Sequence, residues 1–329
     1  MLTSITHQSG DEVFWVASPL FFVCAEMQFF GDRIRLHGGK LDRHISSIAT
    51  LEMQMTQKQQ PALTLFAVGM IGLGILGLIY GDFALVWQPV ASWFPARTPL
   101  AYCAAVLMLV GGIGLLFEAT VRWAIRILFP YLILWALLKV PAIVVAPQIE
   151  GVWLGFGELA VLLAGGWTLF AQLSFARIGD MPDRGVWKFV AGEKGVCAAR
   201  IFFGVFLIPI GLSHLMYVKE TVTLVPHWLP FPIGWAYLTG AGQMACGLGV
   251  LFGVLPRVAA LCEAGMISVF ALLVWLPRIV AAPHERLPWT AFFITWAIGS
   301  AAWVVAANMP TGLGSRSREL ERKESALRA

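Results

Sequence analysis

Three ionisable side chains stand out inside apolar stretches long enough to cross a bilayer: Glu158 in 153–175, His214 in 197–217 and Glu263 in 257–277. Gln243 adds an amide at mid-depth of a fourth stretch, 233–253. A charge at the centre of a membrane helix costs at least ~2.5 kcal/mol on insertion scales, so such groups are functional candidates by default. The chemistry on offer is proton sharing. A carboxylate beside an imidazole in a low-dielectric pocket holds the proton on the histidine, and each group lessens the cost of the other. Glu158 lies about five residues, roughly 7 Å, below the outer start of its helix. His214 lies at a comparable depth below the outer end of the next, where Tyr217 and Tyr237 offer hydroxyls. The expectation is that Glu158 and His214 face the bundle interior, within reach of each other directly or through one water. Two plainer readings compete. His214 can be satisfied by a backbone carbonyl near its helix end, and Glu263 can extend toward the cytoplasmic interface.

Other chemistry has little support in the sequence. Cys24, Cys103, Cys197, Cys246 and Cys262 form no C-x-x-C pair and no Cys/His ligand spacing, so they read as packing residues and no metal site is expected. There is no haem-ligand pair, Walker loop or nucleotide fingerprint, and no catalytic residue is assigned. Of 329 residues, 58% are hydrophobic and 13% charged, against about 25% charged in a soluble domain. That leaves too little polar surface for a water-facing globule, so the lipid bilayer is the expected partner. A net charge of +4 without clustering gives no nucleic-acid face.

The elements that must position these groups are helices. Eight apolar runs of about 20 residues fall at 62–80, 99–117, 122–140, 153–175, 197–217, 233–253, 257–277 and 289–308. Helices satisfy their own backbone groups in lipid, which predicts an all-α, polytopic membrane bundle. Lys and Arg crowd alternate junctions (Arg122, Arg177, Arg184, Lys188, Lys194, Arg200, Arg257) and the tail after Arg316. The opposite junctions carry fewer: Arg97, Lys139, Lys219, Arg278 and Arg286. Both ends of the bundle should then be cytoplasmic, in a bacterial inner membrane.

The spans repeat. "SWFPARTPLAY" (92–102) aligns with "HWLPFPIGWAY" (227–237), and at the same offset "GIGLLFEATVR" (112–122) aligns with "GLGVLFGVLPR" (247–257). With one residue of slip, Pro141, Pro147, Trp153 and Trp167 then match Pro277, Pro283, Trp289 and Trp303. This predicts two parallel four-helix repeats, 61–176 and 196–310, related by an axis along the membrane normal. Between them, 177–195 reads as a basic cytoplasmic linker, and 311–329 as a charged cytoplasmic tail. Residues 1–60 fit the pattern poorly and read as an atypical N-terminal extension, with the native start expected near Met53 or Met55. The polar groups are not repeated: Glu158 matches Ile294, and Glu263 an apolar position near Leu128. One site in a pseudo-symmetric bundle would look like this, as would drift. Gly240, Gly242, Gly247, Gly249 and Gly253 permit close helix packing, and Gly249 and Gly253 carry a G-x-x-x-G spacing.

The second repeat, "RIFFGVFLIPIGLSHLMY" followed by "VPHWLPFPIGWAYLTGAGQMACGLGVLFGVLPRVAAL", resembles the DoxX-like superfamily, and the first repeat resembles it more weakly. That family is built on four-helix membrane units with a Pro/Trp-containing outer loop. The resemblance implies several roles. One is a quinone-linked redox membrane subunit with a separate soluble partner, with quinone as the cofactor. The alternatives are a small-molecule transporter or a non-catalytic assembly or cargo-binding protein. In each case a small or lipid-soluble molecule, or a partner protein, would bind near the outer face.

Overall fold

The computed structural model describes residues 41–173 and 185–309, and all regular structure among them is helical. The apolar stretch 13–30, most of the linker and the tail lie outside the described residues. The chain divides into units Met1–Met55 and Thr56–Ala329. The described part of the first, 41–55, is helical, and the second holds the bundle.

The helices are α1 (Leu41–Tyr80), α2 (Arg97–Leu115), α3 (Val121–Val145), α4 (Glu150–Leu173), α5 (Val186–Ala191) and α6 (Glu193–Met216). They continue with α7 (Val218–Leu224), α8 (Pro232–Leu251), α9 (Pro256–Phe270), α10 (Leu276–Ala281) and α11 (Arg286–Ala307). A π-turn, Ala271–Trp275, joins α9 to α10 within one continuous span. Among the described residues, seven helical segments are long and apolar enough to cross a membrane. The other expected span, 233–253, forms α8, which has 20 residues. Its glycines, Gln243, Trp235 and Tyr237 leave it less apolar than the seven.

Local geometry recurs at the offsets found in the sequence. Trp153 Nε1 donates to Pro147 O at 2.8 Å, and Trp289 Nε1 to Pro283 O at 2.9 Å. Ala96 and Phe231, each just before a helix, both adopt the left-handed conformation, with φ of 55° and 56°. Such a conformation costs a non-glycine residue about 1–2 kcal/mol, so the two loops share a constrained entry into α2 and α8.

Packing makes α4 the pivot. It touches α3, α6 and α11, and it is the most enclosed of the spans. Small residues allow this: a Cβ on Gly165 would lie 2.6 Å from Ala301 Cβ, and one on Gly157 3.0 Å from Phe206 O. α6 and α8 approach backbone to backbone. A Cβ on Gly211 would meet Gly240 O at 2.6 Å, and one on Gly247 would meet Gly204 O at 2.7 Å. These two reciprocal pairs carry the close approach, whereas Gly253 has nothing within 4 Å. Of the expected packing glycines, Gly249 faces α9 instead, where a Cβ would lie 3.0 Å from Ala259 Cβ. Contacts run α4–α6–α8–α9–α11 and back to α4, a closed ring of helices.

At one end of the bundle, Asp82 ties distant parts of the chain. Arg97 and Arg286 both pair with its carboxylate, Arg286 Nη1 at 2.9 Å, and Arg286 also donates to Phe83 O. Burial works against ionisation of Asp82. Hydrogen bonds from Arg286, the Phe83 N–H and Arg97 outweigh it and hold the carboxyl below its ordinary value. A depressed carboxyl pKa means stability present above the ordinary value and lost as pH falls through the folded one. Replacing Asp82 by Asn should lower stability by about 1–3 kcal/mol at pH 7, read as a lower thermal midpoint. The gap between the two proteins should close below about pH 4.

Candidate functional site

The ring encloses a cavity of about 610 Å³, within the range of small-molecule sites. Its polar lining comes from Glu158 on α4, His214 on α6, Thr221 on α7, Thr239 and Gln243 on α8, and Thr295 on α11. The rest of the wall is apolar, with Trp228, Trp235 and Trp275 around it. Leu238, Val269 and Leu273 also line it while exposed on the apolar outside of the bundle. The cavity therefore opens sideways, between α8 and the α9–α10 span.

The structure thus brings Glu158 and His214 to one cavity at the join of α4 and α6. That join is packed by Phe156 against Phe206, ring centroids 5.0 Å apart. Among the described residues, no hydrogen bond or ion pair links the two directly. His214 Nδ1 lies 2.9 Å from Thr239 Oγ1, so the histidine answers to a threonine side chain and not to a backbone carbonyl. Thr239 has one hydroxyl proton, and Trp235 O accepts it at 2.9 Å. Thr239 Oγ1 is then the acceptor for His214 Nδ1–H, which leaves Nε2 of the neutral ring as an acceptor.

Glu158 has an unexpected electrostatic partner. Lys139 interacts with it through charge, while donating to Val86 O and Gly155 O, each at 2.7 Å. Lys139 was expected at an outer junction. It is 9% exposed and folded into the bundle, where its ammonium offsets a nearby carboxylate. The signal in the sequence was a cation and an anion on adjacent arms of one helical hairpin.

Tyr217 and Tyr237 do not line the cavity. The Tyr217 hydroxyl accepts from Gly151 N at 3.1 Å and so fastens the end of α6 to the start of α4. Tyr237 is 50% exposed on the outer face of α8. Glu263 does not extend to the interface: it is fully buried, and Gln243 Nε2 donates to its Oε1 at 2.9 Å. Gln243 Oε1 and Glu263 Oε2 are both buried without a partner. One proton on Glu263 Oε2 would close the acid–amide ring and satisfy both. Sequence reasoning missed Thr239, the tryptophan lining and the π-turn, because ordinary membrane-helix residues carry no mark of which face they take. Among the described residues, no group of three or more His, Cys, Asp or Glu could hold a metal.

Residues 195–276, which supply most of the cavity wall, match the DoxX family. The chain carries a DoxX-like membrane domain. No curated protein and no solved structure matches the chain. The DoxX match runs from the first turn of α6 to the start of α10, so His214, Thr239, Gln243 and Glu263 lie inside it, and Glu158 outside.

The Gln243–Glu263 pair sets an expectation for variants. Glu263→Gln keeps a donor and an acceptor in place and should leave the thermal midpoint within a degree or two. Glu263→Ala strands the Gln243 amide and should cost about 1–3 kcal/mol. Equal losses in the two variants would mean that packing, not pairing, holds this site.

Proposed function

We propose that this protein captures a lipid-soluble molecule with a hydrogen-bond-donating head, in the outer leaflet of a bacterial cytoplasmic membrane. In this reading two parallel four-helix copies, 61–176 and 196–310, form the bundle. The second holds the ligand, and the first contributes Glu158. The supporting observation is the cavity: apolar walls, a sideways opening, and two acceptors, His214 Nε2 and the Glu158 carboxylate, at its polar end. An apolar tail suits the walls and the route from lipid. A hydroxyl or amine head supplies the donors that these acceptors lack. A quinol fits that description, as does a long-chain alcohol or amine. In a redox setting the electrons would pass to a separate soluble subunit.

The test is photolabelling of the protein in lipid nanodiscs with a diazirine analogue of dodecanol. Label should concentrate in 221–239 and 266–275, and excess dodecanol should compete for it. His214→Ala and Gly242→Phe should each cut it about tenfold, through a lost hydrogen bond and a filled cavity respectively. A Cβ on Gly242 would have only Met266 Sδ within reach, at 4.0 Å, so the added ring has room to occupy the cavity. Label spread evenly over the apolar surface would remove the proposal.

Orientation is tested separately. A reporter active only in the periplasm should be silent when fused after Ala329 and active when inserted near Gln88 or Pro283. Activity at the C-terminus would require an odd number of crossings.

A further inference from the structure

The two copies match at one offset as far as Arg122 and Arg257, and at an offset longer by one from Pro141 and Pro277 onward. The second copy therefore holds one extra residue between Arg257 and Pro277. That interval contains the π-turn Ala271–Trp275, in which the Leu276 N–H reaches back five residues to Ala271 O. A π-turn is the way a helix takes in one added residue while keeping its course beyond it. The matching helix, α3, is α-helical from Val121 to Val145, although Pro141 stands where α10 has Pro277. Proline is thus not the cause of the turn, and the added residue is.

The turn borders the cavity, which Phe270, Leu273, Val274 and Trp275 help to line. By the two offsets, Met108, Tyr131, Leu132 and Leu159 of the first copy correspond to Gln243, Met266, Ile267 and Thr295 of the second. The second four line the cavity of about 610 Å³. The first four, with Trp87, Gln88, Met70 and Trp135, surround a void of about 10 Å³, about the least that holds one water. The first copy's centre is filled by aromatic rings. Trp135 packs edge-on against Phe83 at 5.5 Å and Tyr131 at 6.0 Å, and Gln88 Nε2 donates to the Tyr131 hydroxyl at 2.6 Å. The counterparts of Trp135, by one offset or the other, are Phe270 and Ala271, where the turn begins.

We propose that the extra residue of the second copy is the π-turn, and that this insertion opens a bundle centre which the first copy keeps filled. The second copy is then the binding unit for an outer-leaflet molecule with a donor head. The first copy is a solid buttress that lends one carboxylate. This rests on the reading of the cavity as a ligand site and of the chain as two copies.

The experiment deletes Leu272, exposed on the outside of the turn, from the full chain in nanodiscs, and repeats the labelling with the diazirine dodecanol. Wild-type protein should label in 221–239, and the deletion should cut that label about tenfold with helicity and thermal midpoint retained. Met266→Tyr combined with Ala271→Trp, which installs first-copy residues, should do the same with the turn intact. A folded deletion that labels like wild type overturns the inference. Absence of site-specific label in wild type overturns the ligand reading instead. Should the deletion not fold, hydrogen exchange on wild type decides. Amides of 272–276 should exchange faster than those of 136–140 and slow when dodecanol is added. Equal rates, or no slowing, overturn the inference.

Discussion

Inside hydrocarbon a polar atom has no water to turn to, and each one must be satisfied by another part of the protein. The helices meet that demand for the backbone, and the remaining contacts of this bundle read as answers to the same demand. Lys139 is solvated by Val86 O and Gly155 O, with the Glu158 carboxylate as its electrostatic partner. Gln243 and Glu263 are fully buried and meet each other. Trp296 Nε1 reaches Leu65 O across the interface of α1 and α11 at 2.9 Å, and Trp303 Nε1 reaches Ser268 Oγ at 3.2 Å. At one end of the bundle, two guanidiniums share Asp82 and bind the loop after α1 to the starts of α2 and α11. Against this background the acceptors that line the cavity stand out. His214 and Glu158 line it, and the Glu158 carboxylate has Lys139 as its electrostatic partner.

Much of this was legible in the sequence, because composition and repeat spacing speak directly to it. Apolar runs with few charges gave the helical membrane bundle, and the Pro/Trp pattern gave the recurring outer loops. The isolated polar residues pointed to the region where the cavity lies, since a charge in an apolar run is costly wherever its side chain turns. What was not legible depends on rotation about a helix axis. Whether Tyr237 faces the interior or lipid turns on a fraction of a helical turn, and an apolar helix carries little amphipathic contrast to fix it. Partners across helices were equally hidden. Glu158 shares a cavity with His214, as its position suggests, yet its electrostatic partner is Lys139, one hairpin arm away. Of the five glycines read as packing positions, Gly240 and Gly247 meet α6, Gly249 meets α9 and Gly253 meets nothing within 4 Å.

The asymmetry between the halves has an energetic side. A void on the scale of this cavity, left empty at about 24 cal/mol per Å³, would forfeit on the order of 15 kcal/mol, comparable with the whole stability of a typical domain. A packed bundle does not tolerate that as a defect, and the first half shows how a bundle centre is closed, with Trp87, Tyr131 and Trp135 drawn together. The second half can be hollow only if something occupies the space. The sideways opening between Leu238 and Val269 or Leu273 lets the bilayer supply an occupant at all times. In the proposed reading a ligand with a donor head competes with lipid tails, and its advantage lies in the head. The walls attract any chain about equally, so discrimination would fall to His214 and Glu158, which line the polar end of the cavity.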